Sequence, residues 1–149
     1  MKISEVTVKV SSVIEELDDA GLAVGESERT ETKAIGYLHI YDDGRYLLTY
    51  TESGEGGTVT TEISVIGRRV TVSRRGSIES SMEFEEGRAH ASVYSIPPYR
   101  FDALIEAKRV TLELSEHKSR IELHYNMKLG GATRSARMKI WILPNISHA

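Results

Sequence analysis

The run Arg120-Ile121-Glu122-Leu123-His124-Tyr125-Asn126-Met127-Lys128-Leu129 decides the fold class. Ile121, Leu123, Tyr125, Met127 and Leu129 alternate without a break against Glu122, His124, Asn126 and Lys128. Successive side chains of an extended chain point to opposite sides, so a period of two makes a strand with one dry face and one wet face. Gly130-Gly131 follows, and a second alternating run carries Ala136, Met138, Ile140 and Ile142. Two such runs joined by glycines, which accept positive φ at a tight turn, read as a β-hairpin.

The same pattern extends outward to the N-terminus. Val6, Val8 and Val10 alternate within Glu5–Ile14, and Leu38 and Ile40 alternate within Thr30–Tyr41. Between them, Glu15–Ser27 is expected to be an acidic loop broken by Gly21 and Gly25. Asp42-Asp43-Gly44 is a hairpin turn signal before Arg45–Glu52. Val59, Thr61, Ile63 and Val65 mark the next strand, followed by Val70–Arg75, Glu79–Glu85 and Arg88–Ile96, with Gly67, Gly76 and Gly87 between them. Pro98–Ala107 fits a helix with Phe101, Leu104 and Ile105 on one side. It fits equally well a strand with Phe101, Ala103, Ile105 and Ala107 on one face. Val110, Leu112 and Leu114 then alternate. The prolines stand outside the alternating runs: Pro97 and Pro98 between strands, and Pro144 at the start of a C-terminal tail, 144–149.

Strands at this spacing, separated by glycine turns, predict an all-β domain with up-and-down connectivity. Several strands are apolar on one row and mixed on the other, as in Arg137, Lys139, Trp141 and Leu143 opposite Ala136, Met138, Ile140 and Ile142. With too little helix to cover an apolar sheet face, a sheet that curls shut is the economical solution. The expectation is a single antiparallel barrel of about eight to ten strands spanning residues 1–149, filled by side chains or holding one small ligand.

Composition narrows the class. The 149 residues suit one domain, and 40% hydrophobic with 28% charged residues is enough to bury a core. With no cysteine, disulfides and thiolate metal sites are excluded, which fits a reducing compartment. The opening Met1-Lys2-Ile3-Ser4-Glu5-Val6 lacks the apolar run of a signal peptide. No apolar segment approaches a helical membrane span, so a soluble cytoplasmic protein is expected. The net charge of −3 conceals an asymmetry. The N-terminal segment is acidic, while Lys118, Arg120, Lys128, Arg134, Arg137 and Lys139 near the end are basic. Basic strand faces could dock nucleic acid or an acidic protein. Charged outer faces that blunt edge pairing explain the same residues, and nucleic acid is the disfavoured partner. Apolar rows or edges could also be covered in a homodimer.

Tyr50-x-Glu52, Arg74-Arg75-Gly76, Met82-x-Phe84, Gly87, Tyr94 and Ile121…Tyr125-x-Met127 recur in a recognisable order and spacing. On these residues the chain resembles the YwiB-like family, small bacterial proteins of unknown function with a calycin-like β-barrel. The likeness is best from Arg74 to Ile142 and weak before Gly36. It implies an antiparallel, lipocalin-like barrel with no established activity, and it implies a strand over Phe101–Ala107. The run Ile96-Pro97-Pro98-Tyr99-Arg100 lacks the threonine and glycine of the family's turn, and Ala107 stands where a threonine is usual.

No catalytic constellation emerges. His39, His90, His117, His124 and His148 include no pair at local metal-ligand spacing, so no metal or cofactor is expected. No serine sits in a nucleophile elbow, and Gly54–Gly57 lacks the lysine and helix of a phosphate loop. The candidate set is Tyr50, Glu52, Arg74, Tyr94 and Tyr125. In one arrangement they line a partly polar lumen, where Arg74 binds a carboxylate or phosphate and the tyrosines offer ring faces and hydroxyls. In the other they form a structural network in which Arg74 pairs with Glu52 in the core. The function expected from the first is non-enzymatic binding of a small amphipathic or anionic ligand.

Overall fold

In a computed structural model describing residues 1–145, ten strands form one closed barrel. They are β1 Lys2–Leu17, β2 Ala23–Ile40, β3 Tyr46–Gly54, β4 Gly57–Ile66, β5 Arg69–Gly76, β6 Glu79–Phe84, β7 Ala89–Ile96, β8 Tyr99–Glu113, β9 Ser119–Leu129 and β10 Ala132–Pro144. Each pairs antiparallel with its neighbours in sequence, and β1 closes on β10. The described residues contain no helix, so a flat sheet would have no cover, and closure is what buries the apolar rows.

The hairpin read first is present as expected. Leu129 faces Ala132 across Gly130-Gly131, and Gly130 has φ +62°. The Phe101–Ala107 segment is the strand β8, not a helix. A bulge between Ala107 and Arg109 changes its phase. Ala103, Ile105 and Ala107 face inward before the bulge, and Val110 is buried after it. The β6–β7 turn uses the freed backbone: Gly87 N donates to Ala107 O at 2.9 Å, and Val110 N donates to Glu86 Oε1 at 3.0 Å.

Two expectations need correction. Glu15–Ser27 is not a loop. It is the end of β1, a turn at Asp18–Leu22, and the start of β2. Asp18 holds that turn by accepting from the backbone of Ala20 and Leu22, both at 2.9 Å. A polar, glycine-interrupted sequence extends as a ribbon because its ladder partner β1 supplies the backbone hydrogen bonds, and no apolar face is required. Pro144 is not in a tail. It ends β10 opposite Val6, where a strand's last residue needs no further donor. The rest of the expected tail, with His148, lies outside the described residues.

The closed end of the barrel is packed. Phe84, Leu48, Ile63, Ile105, Ile121, Leu123, Ile140 and Ile142 are fully buried there, and the Phe84 and Tyr125 rings meet edge-on at 4.8 Å. At the other end, reached by the β1–β2, β3–β4, β5–β6, β7–β8 and β9–β10 turns, side chains no longer fill the interior.

Two seams are thin. β2 pairs with β3 only from Gly36 to Ile40, and β6 pairs with β7 only through Glu79–Ser95 and Ser80–Tyr94. Where the β6–β7 ladder stops, the Ser92 hydroxyl donates to the Ser81 carbonyl at 2.5 Å and replaces a backbone bond.

Candidate functional site

The unfilled end of the barrel is a cavity of about 420 Å³. All five residues singled out from the sequence line it: Tyr50, Glu52, Arg74, Tyr94 and Tyr125. They arrive from β3, β5, β7 and β9 because each occupies an inward position of an alternating strand.

Register explains how they meet. Tyr50 is opposite Thr61, Thr61 opposite Arg74, Arg74 opposite Ser80, Ser80 opposite Tyr94, and Tyr94 opposite Phe101. One transverse row therefore runs across six strands and places the Arg74 guanidinium between the hydroxyl-bearing positions Thr61 and Ser80. Paired residues on neighbouring strands have Cβ atoms about 4.5–5.5 Å apart, so this row is continuous at side-chain scale.

The expected Arg74–Glu52 ion pair is not formed. Among the described residues, no carboxylate lies within 4.0 Å of the Arg74 guanidinium. Glu52 is opposite Val59, one step nearer the mouth, and register keeps the two charges apart. Arg74 instead acts on the tyrosines. Burial pushes the Tyr50 and Tyr125 hydroxyls up, and the Arg74 charge partly opposes both shifts. Both rings stay neutral donors at ordinary pH, alongside a cation that lacks an acid partner.

One part of the remaining wall is apolar and adaptable. Met82, Met127 and Met138 all line the cavity, with Val10, Ile14, Ile96, Phe101 and Leu129. Apart from Met1, these are the only methionines in the chain, and thioether side chains adjust to the shape of what they contact.

Arg134, Ser12, Thr30 and Thr32 also line the space and did not stand out in the sequence. The available signal was a polar residue on an otherwise apolar row. Arg134 precedes Ala136, Met138, Ile140 and Ile142, and Ser12 interrupts Val6, Val8, Val10 and Ile14. Arg134 differs from Arg74 in having an acid partner, Glu16, with Nη2 and Oε1 3.6 Å apart across the β1–β10 closure. That closure places the acidic N-terminal strand beside the basic C-terminal one.

The basic outer faces are largely met by carboxylates as well. Arg120 reaches Glu113 and Glu122, Lys139 reaches Glu122, and Lys128 reaches Glu106. Among the described residues, no group of three or more His, Asp or Glu side chains is placed to hold a metal ion.

Residues 18–140 match a family described as a domain of unknown function, DUF1934. The chain belongs to this family. The DUF1934 match runs from the β1–β2 turn into β10, and it contains every lumen residue named above except Val10, Ser12 and Ile14. The chain is 29% identical over 125 residues to the uncharacterised β-barrel protein YwiB of Bacillus subtilis (strain 168), covering 84% of this chain and 82% of that protein. The crystal structure of the YwiB protein from Bacillus subtilis superposes with a TM-score of 0.82 at 26% identity, covering 96% of this chain and 93% of that one. The ten-strand DUF1934 barrel described here is therefore an architecture also found in a solved structure.

Proposed function

We propose that this DUF1934 protein is a non-enzymatic carrier or sensor that holds one small amphipathic, anionic molecule in the barrel lumen. The observation that carries this reading is the Arg74 guanidinium, out of ion-pair reach of Glu52, in a partly apolar cavity of about 420 Å³. Ligand sites typically enclose about 300–1,000 Å³, mostly apolar with a few convergent polar groups. An unmatched cation inside such a space is costly unless something anionic meets it. The head group would accept from Arg74 and the tyrosine hydroxyls, and the apolar part would lie along Met82, Met127 and Met138. Docking of nucleic acid or an acidic protein on the strand faces has less support, because Arg120, Lys128 and Lys139 already face carboxylates.

The test is native mass spectrometry on protein purified without denaturant, and again after unfolding, refolding and incubation with decanoate. An added small-molecule mass in the first sample, or uptake of a single decanoate in the second, is the expected result. A bare protein mass in both would overturn the proposal.

A further inference from the structure

β2 has ladder partners on both sides only from Gly36 to Ile40, where β3 joins it. From Glu28 to Ile35 it pairs with β1 alone, in unbroken register from Ile14 to Thr7. On the other side, the pairing of β3 with β2 ends at Tyr50, and Thr51–Gly54 pairs only with β4. The barrel wall therefore carries an open strand edge here, with backbone N–H and C=O groups that face no ladder partner. Glu28–Glu31 are exposed, and on the outer face beside the edge Ile35 and Tyr37 are 58% and 54% exposed.

Natural strand edges are usually blunted by proline, by a bulge or by charges that repel a second copy. β2 has no proline, and its register with β1 breaks only beyond Glu28. Its charges match a copy. Arg29, Glu31 and Lys33 alternate in sign along the outer face of the edge. Among the described residues, none of the three has an opposite charge within 4.0 Å. Lys33 is instead opposite Lys9 of β1, a like-charge pair of the kind that destabilises a ladder.

We infer that Glu28–Ile35 is a self-association edge, where a second copy of this chain adds its own β2 antiparallel about a two-fold axis at Thr32. Residues opposed in a continuous antiparallel sheet lie on the same face, so the axis falls at a residue and not between two. An axis at Arg29, Glu31 or Lys33 sets a charge against its own copy. An axis at Thr30 keeps the ladder short, since the β1–β2 register breaks beyond Glu28. At Thr32 the ladder runs from Arg29 to Ile35. Glu31 then faces Lys33 of the second copy at two symmetric contacts, and each Lys33 gains the acid that Lys9 does not supply. Arg29 lies opposite Ile35 of the second copy, where its aliphatic stem covers exposed apolar surface. The edge is present whether or not the lumen holds a ligand.

Sedimentation velocity of the full chain over a concentration series tests the inference, with Glu31→Lys, Lys33→Glu and the double variant alongside. A dimer that dissociates on dilution is expected. Each single charge reversal sets like charges together at two symmetric contacts and should weaken the dimer by at least about tenfold. The double variant restores opposite charges and should return close to the parent. Both positions are exposed, so misfolding does not mimic this pattern. Hydrogen exchange at Glu28–Ile35 should also be slower at high protein concentration than at low. A monomer at concentrations up to about 1 mM would overturn the inference and leave the edge to an extended peptide from another protein. A dimer that both single variants leave intact, or that the double variant does not restore, would place the contact elsewhere and overturn it as well.

Discussion

Ser80 lies directly between Arg74 and Tyr94 in the register of three adjacent strands. The consequence is electrostatic. Arg74 has hydroxyl-bearing neighbours, Thr61 on one side and Ser80 on the other, where an ion-paired core would have carboxylates. Its charge is therefore available to something that is not part of the chain. The same two positions, Ser80 and Tyr94, form half of the short β6–β7 ladder, so the most polar part of the lumen coincides with the thinnest part of its wall.

Replacing Arg74 should reveal which picture holds. A buried ion pair loses about 3–5 kcal/mol when one partner is removed, because the other charge is stranded. Arg74 has no such partner, so Arg74→Met should lower the stability of the ligand-free protein by no more than about 1 kcal/mol, or raise it by removing an unmatched charge, while abolishing uptake of an anionic ligand. Urea unfolding with an unchanged m-value measures the first, and decanoate binding measures the second. A loss of stability near the buried-pair value would restore the Arg74–Glu52 pair.

Phe84 shows how strongly the closed end holds the barrel. Its side chain is fully buried and packs edge-on against Tyr125. Phe84→Ala should cost about 3–5 kcal/mol, through lost transfer energy and the cavity left behind. Denaturant unfolding would read this as a lower midpoint. A cost under about 1 kcal/mol would mean that the interior collapses freely and is not close-packed.

Gly76, the last residue of β5, and Gly131, in the β9–β10 turn, have opposite expectations. Gly76 has φ +132°, and a Cβ there would stand 2.0 Å from the Thr58 carbonyl oxygen, a backbone atom that cannot swing away. Gly131 has open space around the same position. Gly76→Ala should destabilise by at least about 1–3 kcal/mol from strain alone, whereas Gly131→Ala should stay within about 1 kcal/mol of the parent. Thermal melts of the two variants beside the parent provide the comparison.

Alkaline pH should unfold the barrel through its buried tyrosines. Burial pushes Tyr46 up to about 12 and raises Tyr50 and Tyr125 as well. Their pKa values are higher folded than unfolded, so the unfolded chain releases these protons first. The stability they contribute is complete below about pH 10, where unfolded tyrosine is still protonated. It is lost as pH rises through the folded values. Ultraviolet difference titration should show Tyr46, Tyr50 and Tyr125 ionising late and together with unfolding. Tyr46→Phe removes one such group and should extend the stable range upward.

The architecture was legible in the sequence wherever apolar and polar residues alternate. Arg120–Leu129 separates into one dry and one wet row, whereas in two-sided strands such as Arg45–Glu52 the alternation shows a strand without showing which row faces inward. Glu15–Ser27 was not legible, since its strand character comes from pairing with β1 and leaves almost no mark on hydropathy. The β8 bulge at Lys108 was also hidden: a phase change in mid-strand looks the same as two separate alternating runs. Tyr50, Glu52, Arg74, Tyr94 and Tyr125 could be gathered as one set, but the partner of Arg74 could not. Whether Glu52 or Ser80 stands beside it depends on cross-strand register, which no local pattern encodes. Arg134 and Ser80 were discernible only as polar interruptions of apolar rows.

The most direct test of the lumen as a binding site is a nuclear magnetic resonance titration of the full chain with decanoate, following Arg74 Nε and the Tyr50, Tyr94 and Tyr125 ring signals. Saturable shifts confined to these groups and to the Met82, Met127 and Met138 methyls, abolished in Arg74→Met, are expected. Shifts confined to outward residues, or unchanged binding in Arg74→Met, would contradict it.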